Sequence, residues 1–181
     1  ASPATVSRAG QVYVSDTDLD WKPVLTSWIK TRPESEQEIL TELLAQYMGE
    51  CTPIDAGHLF NFMTRELLGI MDIARVGQML AFQNLFTALV ENNPGCKANM
   101  SSDPAVLRMQ VERLVLYCIT WSMGGVFEAD CREKFDEYLR SLCETDNMPE
   151  KSEHVTVFEY FVDLETLEWS LWKPPKWTYP K

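Results

Sequence analysis

A mainly helical bundle, with one short strand ahead of it and a β-hairpin behind it, is the fold class this sequence predicts. Three observations carry that reading. Apolar residues recur at helical spacing in about six stretches between Asp20 and Leu142. Prolines and short polar capping residues stand where those stretches begin and end. Runs rich in β-branched and aromatic residues occur only near the two ends, at Gln11–Val14 and from Val155 to Trp172.

Taken in order, Gln11 to Val14 is a strand with nothing nearby to pair with. Its N–H and C=O groups need partners, so Val12 to Val14 is expected to complete a sheet built by residues upstream of Ala1. Ala1 is itself no initiator methionine, which agrees. Ser15 to Asp20 offers capping oxygens, and Leu19, Val24, Leu25, Trp28 and Ile29 share a helical face. Pro23 is tolerated only in a first turn, so the helix should begin near Asp20 or Trp21 and end before Pro33. Glu34 to Tyr47 places Ile39, Leu40, Leu43, Leu44 and Tyr47 on one side, with acidic residues in the opening turns where the helix dipole favours them.

Pro53 to Leu68 and Ile73 to Glu91 read as further helices, the second with Val76, Leu80, Leu85, Leu89 and Val90 along its apolar flank. Asn92-Asn93-Pro94-Gly95 breaks the pattern, and a loop is expected as far as Ser102. Asp103-Pro104 starts a new helix, a capping side chain followed by proline at the first helical position. That helix is apolar almost all round from Leu114 to Met123, which predicts the buried centre of the bundle and buries Trp121 with it. Gly124-Gly125 stops it. Glu128 to Leu142 then forms a helix on Phe135, Tyr138, Leu139 and Leu142, and Asp146 to Ser152 reads as a polar linker. Asp163-Leu164-Glu165-Thr166 is the turn of the closing hairpin, and Pro174-Pro175 and Pro180 impose an extended exit.

Composition excludes several classes. Sixteen basic against 27 acidic residues give a net charge of −11, the wrong sign for neutralising phosphates, so no nucleic-acid partner is expected. Five cysteines without a C-x-x-C spacing argue against a disulfide framework or structural zinc, and no metal site is expected. No signal peptide and no apolar run long enough to cross a bilayer is read, so no membrane partner is expected either. His58 and His154 are ordinary surface or helix residues with no serine–histidine–acid arrangement around them.

Ser2-Pro3-Ala4-Thr5-Val6-Ser7-Arg8, followed by Gly10 and Val12-Tyr13, resembles the segment that closes the large subdomain of an AAA+ module in dynein heavy chains. Leu19-Asp20-Trp21-Lys22-Pro23 with Ser27-Trp28-Ile29 is similar to the first helix of the lid that follows. Ile119-Thr120-Trp121-Ser122-Met123-Gly124-Gly125 and Arg132 to Leu139 resemble its last two helices. Phe158 to Asp163, with Trp169 and Trp172, resembles the link to the next module. The resemblance covers nearly the whole chain in family order and points to the second of the six modules. It divides the chain into the end of a large subdomain (residues 1–14), a helical AAA+ lid (15–145), and a linker with hairpin (146–181).

The resemblance implies a part of a microtubule-based motor in the cytoskeleton, of a ciliary axoneme more than of the general cytoplasm. Neighbouring AAA+ modules of the same chain and the microtubule are the implied partners, with ATP or ADP and Mg as cofactors of the whole module. The fragment alone should bind none of these nucleotides and be no enzyme, since no G-x-x-x-x-G-K loop for phosphates or acidic strand end for magnesium can be drawn. Arg8 falls where AAA+ rings carry an arginine finger that acts in trans on the preceding module's ATP, because a guanidinium donates paired hydrogen bonds to phosphate; otherwise it is a turn or capping arginine. Arg132, just inside a helix after the Gly-Gly loop, falls where lids carry a sensor arginine; an ion pair with Asp130, Glu133 or Asp136 is the other reading. Leu19, Trp21 and Pro23 would lie on the adenine side of the pocket, unless Trp21 and Trp28 are simply core. A free-standing acidic helical interaction domain is the alternative to the whole.

Overall fold

Asp20 caps the first helix: its carboxylate accepts a hydrogen bond from the Lys22 amide at 3.1 Å, and Pro23 falls in the first turn. The computed structural model describes residues 20–49, 58–143, 145, 147–151 and 155–173. The strand expected at Gln11–Val14, Arg8, Leu19 and the proline-rich exit lie outside them. Among the described residues there are seven helices and one hairpin. Helix α1 spans Trp21–Ile29, α2 Glu34–Met48, α3 His58–Glu66, α4 Arg75–Glu91, α5 Pro94–Asn99, α6 Pro104–Ser122 and α7 Ala129–Leu142. Strands β1 (Tyr160–Asp163) and β2 (Glu168–Leu171) pair antiparallel, with Tyr160 opposite Leu171 and Asp163 opposite Glu168.

The Asp103 carboxylate accepts from the amides of Ala105 and Val106, and the helix it opens, α6, is the centre of the bundle. It packs against α2, α4 and both strands. Leu107, Val111, Leu114, Val115, Leu116, Cys118, Ile119 and Met123 are all buried along it or at its end. Trp121 is a correction: it is 42% exposed and meets only the edge of the core, with its ring 5.8 Å from that of Phe158. Two residues beyond the fully buried Ile119, it points roughly 200° around the helix, away from the stripe that Ile119 and Met123 continue.

Two other expectations shift. On α4 the buried face is Met79, Phe82, Phe86 and Val90, at steps of three and four, and Leu80 is 44% exposed; the aromatic stripe wins the core. The run expected as a loop from Asn92 contains α5. Pro94 stands at its first position, where a fixed φ favours a helical turn, and Cys96 is fully buried beneath it.

Gly124 allows α6, α7 and the hairpin to meet. A Cβ at this position would come within 2.6 Å of Phe158 Cζ and 2.8 Å of Phe135 Cε1, so even alanine would force the aromatic cluster apart. In the hairpin, Asp163 Oδ1 accepts from the Glu165 amide at 2.8 Å and starts a turn over Leu164–Leu167. Leu167 closes it with a φ of 56° while its side chain is fully buried.

Candidate functional site

The first turns of α7, the loop between α3 and α4, and the start of the hairpin converge on Arg132. Glu128 precedes α7, and Arg132 lies in its opening turns, where exposed amides and the helix dipole favour anions. Its Nε donates to the Phe127 carbonyl at 3.1 Å, and its guanidinium lies 5.2 Å above the Phe158 ring. Among the described residues no carboxylate pairs with it. Asp136 is instead engaged by Arg140 Nε at 2.9 Å and by the Val157 amide at 2.9 Å. Beside it, Gly69 bridges to Phe127, the Ile70 amide donates to the Val126 carbonyl at 3.0 Å, and the Leu68 amide meets Cys131 Sγ at 3.4 Å. That pinned loop turns Leu68, Ile70 and Met71 outward.

Trp21 takes a core position, buried with its ring 5.4 Å from Phe60, whereas Pro23 is exposed. The Trp21 indole nitrogen has no hydrogen-bond partner among the described residues. Arg8 and Leu19 lie outside those residues. The terminal nitrogens of Arg132 make no hydrogen bond among the described residues. No cluster of three or more histidine, cysteine or acidic side chains fit for a metal occurs among them, and no described helix is long and apolar enough to cross a membrane.

Two polar assemblies went unpredicted. Arg32 is buried at the α1–α2 corner, donating to Glu36 Oε2 from Nε and Nη2 and to Glu91 Oε1 at 2.6 Å. Its guanidinium lies over the rings of both Trp28 and Phe86, so it ties α1 and α2 to the end of α4. The spacing of Arg32 and Glu36 was the available signal. The second assembly surrounds Glu112 on α6, 1% exposed, which accepts from Tyr47 Oη at 2.7 Å, Thr145 Oγ1 at 2.8 Å and Asn147 Nδ2 at 3.0 Å.

Burial, helped by hydrogen bonds to Cys143 and Glu112, holds the Tyr47 hydroxyl far above its ordinary value of 10.0, and burial alone holds the Cys118 thiol well above 9.0. Both groups stay neutral in the fold where the unfolded chain would ionise. Their contribution is complete below the unfolded values and is lost as pH rises past them. Denaturation midpoints should accordingly be level between about pH 7 and about pH 8 and fall above about pH 9, with Tyr47→Phe flattening the most alkaline part. A midpoint that holds steady into that range would contradict the burial of these groups.

A family model described as the dynein heavy chain AAA lid domain matches residues 40–174. The dynein gamma chain of the flagellar outer arm from Chlamydomonas reinhardtii is 36% identical over all of this chain. Human dynein axonemal heavy chain 2 and mouse dynein axonemal heavy chain 5 are each 30% identical over 99% of it. The chain spans only 4% of the length of each of these relatives. The match takes in α6, the Gly-Gly stop, α7 with Arg132, and the hairpin, so the chain belongs to the dynein heavy chain AAA lid family.

Proposed function

We propose that this chain is the lid of the second AAA+ module of an axonemal dynein heavy chain, passing nucleotide-dependent closure at one ring interface to the next module as rigid-body motion. The whole motor would act on microtubules in the ciliary cytoskeleton, with neighbouring modules of the same chain as direct partners. The observation that carries this reading is the end-to-end match to flagellar and axonemal heavy chains. ATP or ADP with Mg would be held mainly by the large subdomain. From this chain Arg132 would reach a phosphate oxygen as a sensor, and Arg8 would act in trans on the preceding module's ATP.

Arg132 suits that task because its Nε bond to Phe127 fixes the stem while the terminal nitrogens stay available. Charge-assisted hydrogen bonds of this kind contribute about 1.5 to 3 kcal/mol. Arg132→Ala in an intact heavy chain should therefore weaken nucleotide binding at the second module by at least about tenfold, with Arg132→Lys intermediate. Fluorescent-nucleotide titration checks this. Unchanged affinity in both variants would remove Arg132 from the nucleotide site.

A further inference from the structure

We propose that two buried carboxylates, Glu112 on α6 and Asp136 on α7, fasten Thr145, Asn147, Pro149 and Val157 between α7 and the hairpin, so that the hairpin turns with the bundle as one body. A polar connection between a helix and a hairpin is by default a hinge. Here Asn147 is buried and Thr145 donates to the buried Glu112. Asn147, 6% exposed, makes three side-chain hydrogen bonds: Nδ2 donates to the Met109 carbonyl at 2.8 Å and to Glu112 at 3.0 Å, and Oδ1 accepts from Arg113 Nε at 2.7 Å. Its own carbonyl accepts from Trp169 Nε1 at 2.8 Å, which reaches strand β2 directly. Arg113 Nη1 also donates to the Leu167 carbonyl at 2.8 Å, so one α6 arginine holds both the segment and the hairpin turn.

The second carboxylate acts from α7. Asp136, 1% exposed, accepts from the Val157 amide at the approach to β1 and orients Arg140, whose Nη1 donates to the Pro149 carbonyl at 2.7 Å. Breaking either set leaves buried polar groups without partners, which is costly in a low-dielectric interior. The hairpin is therefore fastened from two helices at once, and rotation of the lid carries it along. This lock rests on reading the chain as a moving lid.

Hydrogen–deuterium exchange on an intact heavy-chain motor carrying Asn147→Ala or Asp136→Asn tests it. Exchange of the amides in β1 and β2 should rise at least about tenfold in each variant, while α1 and α4 keep their protection. Lys151→Ala, which removes an exposed pair with Glu137, should change nothing. Hairpin exchange like that of the parent in both variants overturns the lock, as does an equal loss of protection in α1 and α4. Should Asn147→Ala fail to fold, Asp136→Asn alone decides. Microtubule gliding measured on the same variants separates the two ideas. A loosened hairpin with slowed gliding supports both; a loosened hairpin with normal gliding keeps the lock and counts against the mechanical role of the lid.

Discussion

Arg8→Ala in an intact heavy chain should slow ATP hydrolysis at the preceding module by about a thousandfold, while nucleotide affinity there changes much less. That ratio corresponds to about 4 kcal/mol of lost transition-state stabilisation. The asymmetry follows from when the charge appears. A guanidinium fork gains most from charge developing on the transferring phosphoryl oxygens, and little from the ground state already neutralised by magnesium and the phosphate loop. Arg8→Lys keeps the charge and loses the paired geometry, so it should fall between the two. Single-turnover phosphate release set beside nucleotide binding makes the comparison. Hydrolysis at the parent rate in Arg8→Ala would take the residue out of the mechanism.

The largest expected loss of stability lies at Phe135. It is fully buried against Phe127 and Phe158, under the spot that Gly124 leaves open. Phe135→Ala should cost about 3 to 5 kcal/mol through lost burial and a cavity that neighbours on three elements cannot all collapse into. Domains of ordinary stability hold about 5 to 15 kcal/mol, so the variant should be mostly unfolded well below the parent's melting temperature. Trp121→Ala should cost clearly less than Phe135→Ala, since that ring is 42% exposed and meets Phe158 edge-on at the margin of the core. Denaturant midpoints of the two variants decide the matter; equal losses would return Trp121 to the core.

Periodicity and punctuation made most elements legible. Asp20, Asp103 and the Asp163 turn act as their positions suggested, because capping and turn chemistry is local. What failed was phase and partnership. In a run as uniformly apolar as Leu114 to Met123, no polar stripe marks which side faces out, so Trp121 was misplaced; on α4 the aromatic stripe, and not the flank with Leu80, takes the core. The segment around Asn147 looked solvated because its partners, Glu112 and Arg113, sit 35 and 34 residues away. The place of Arg132 near the start of α7, after the Gly-Gly stop, is legible in the sequence, whereas its seat above Phe158 depends on a residue beyond the helix and is invisible in the spacing. Arg8 rests on resemblance alone.

Leu167 carries a consequence for how this sequence can drift. Its backbone occupies the left-handed region, which costs a non-glycine residue about 1 to 2 kcal/mol, and its side chain is fully buried. Glycine would relieve the backbone but empty a leucine-sized volume, a loss of about 2 to 5 kcal/mol. Asparagine tolerates the backbone but would bring a polar amide into apolar surroundings, and valine or isoleucine fill the space but fit the left-handed backbone worse than leucine does. Each single-step escape from the strain is worse than the strain itself. Position 167 is thus a local optimum with walls on every side, and the tight turn it closes should change only together with its neighbours.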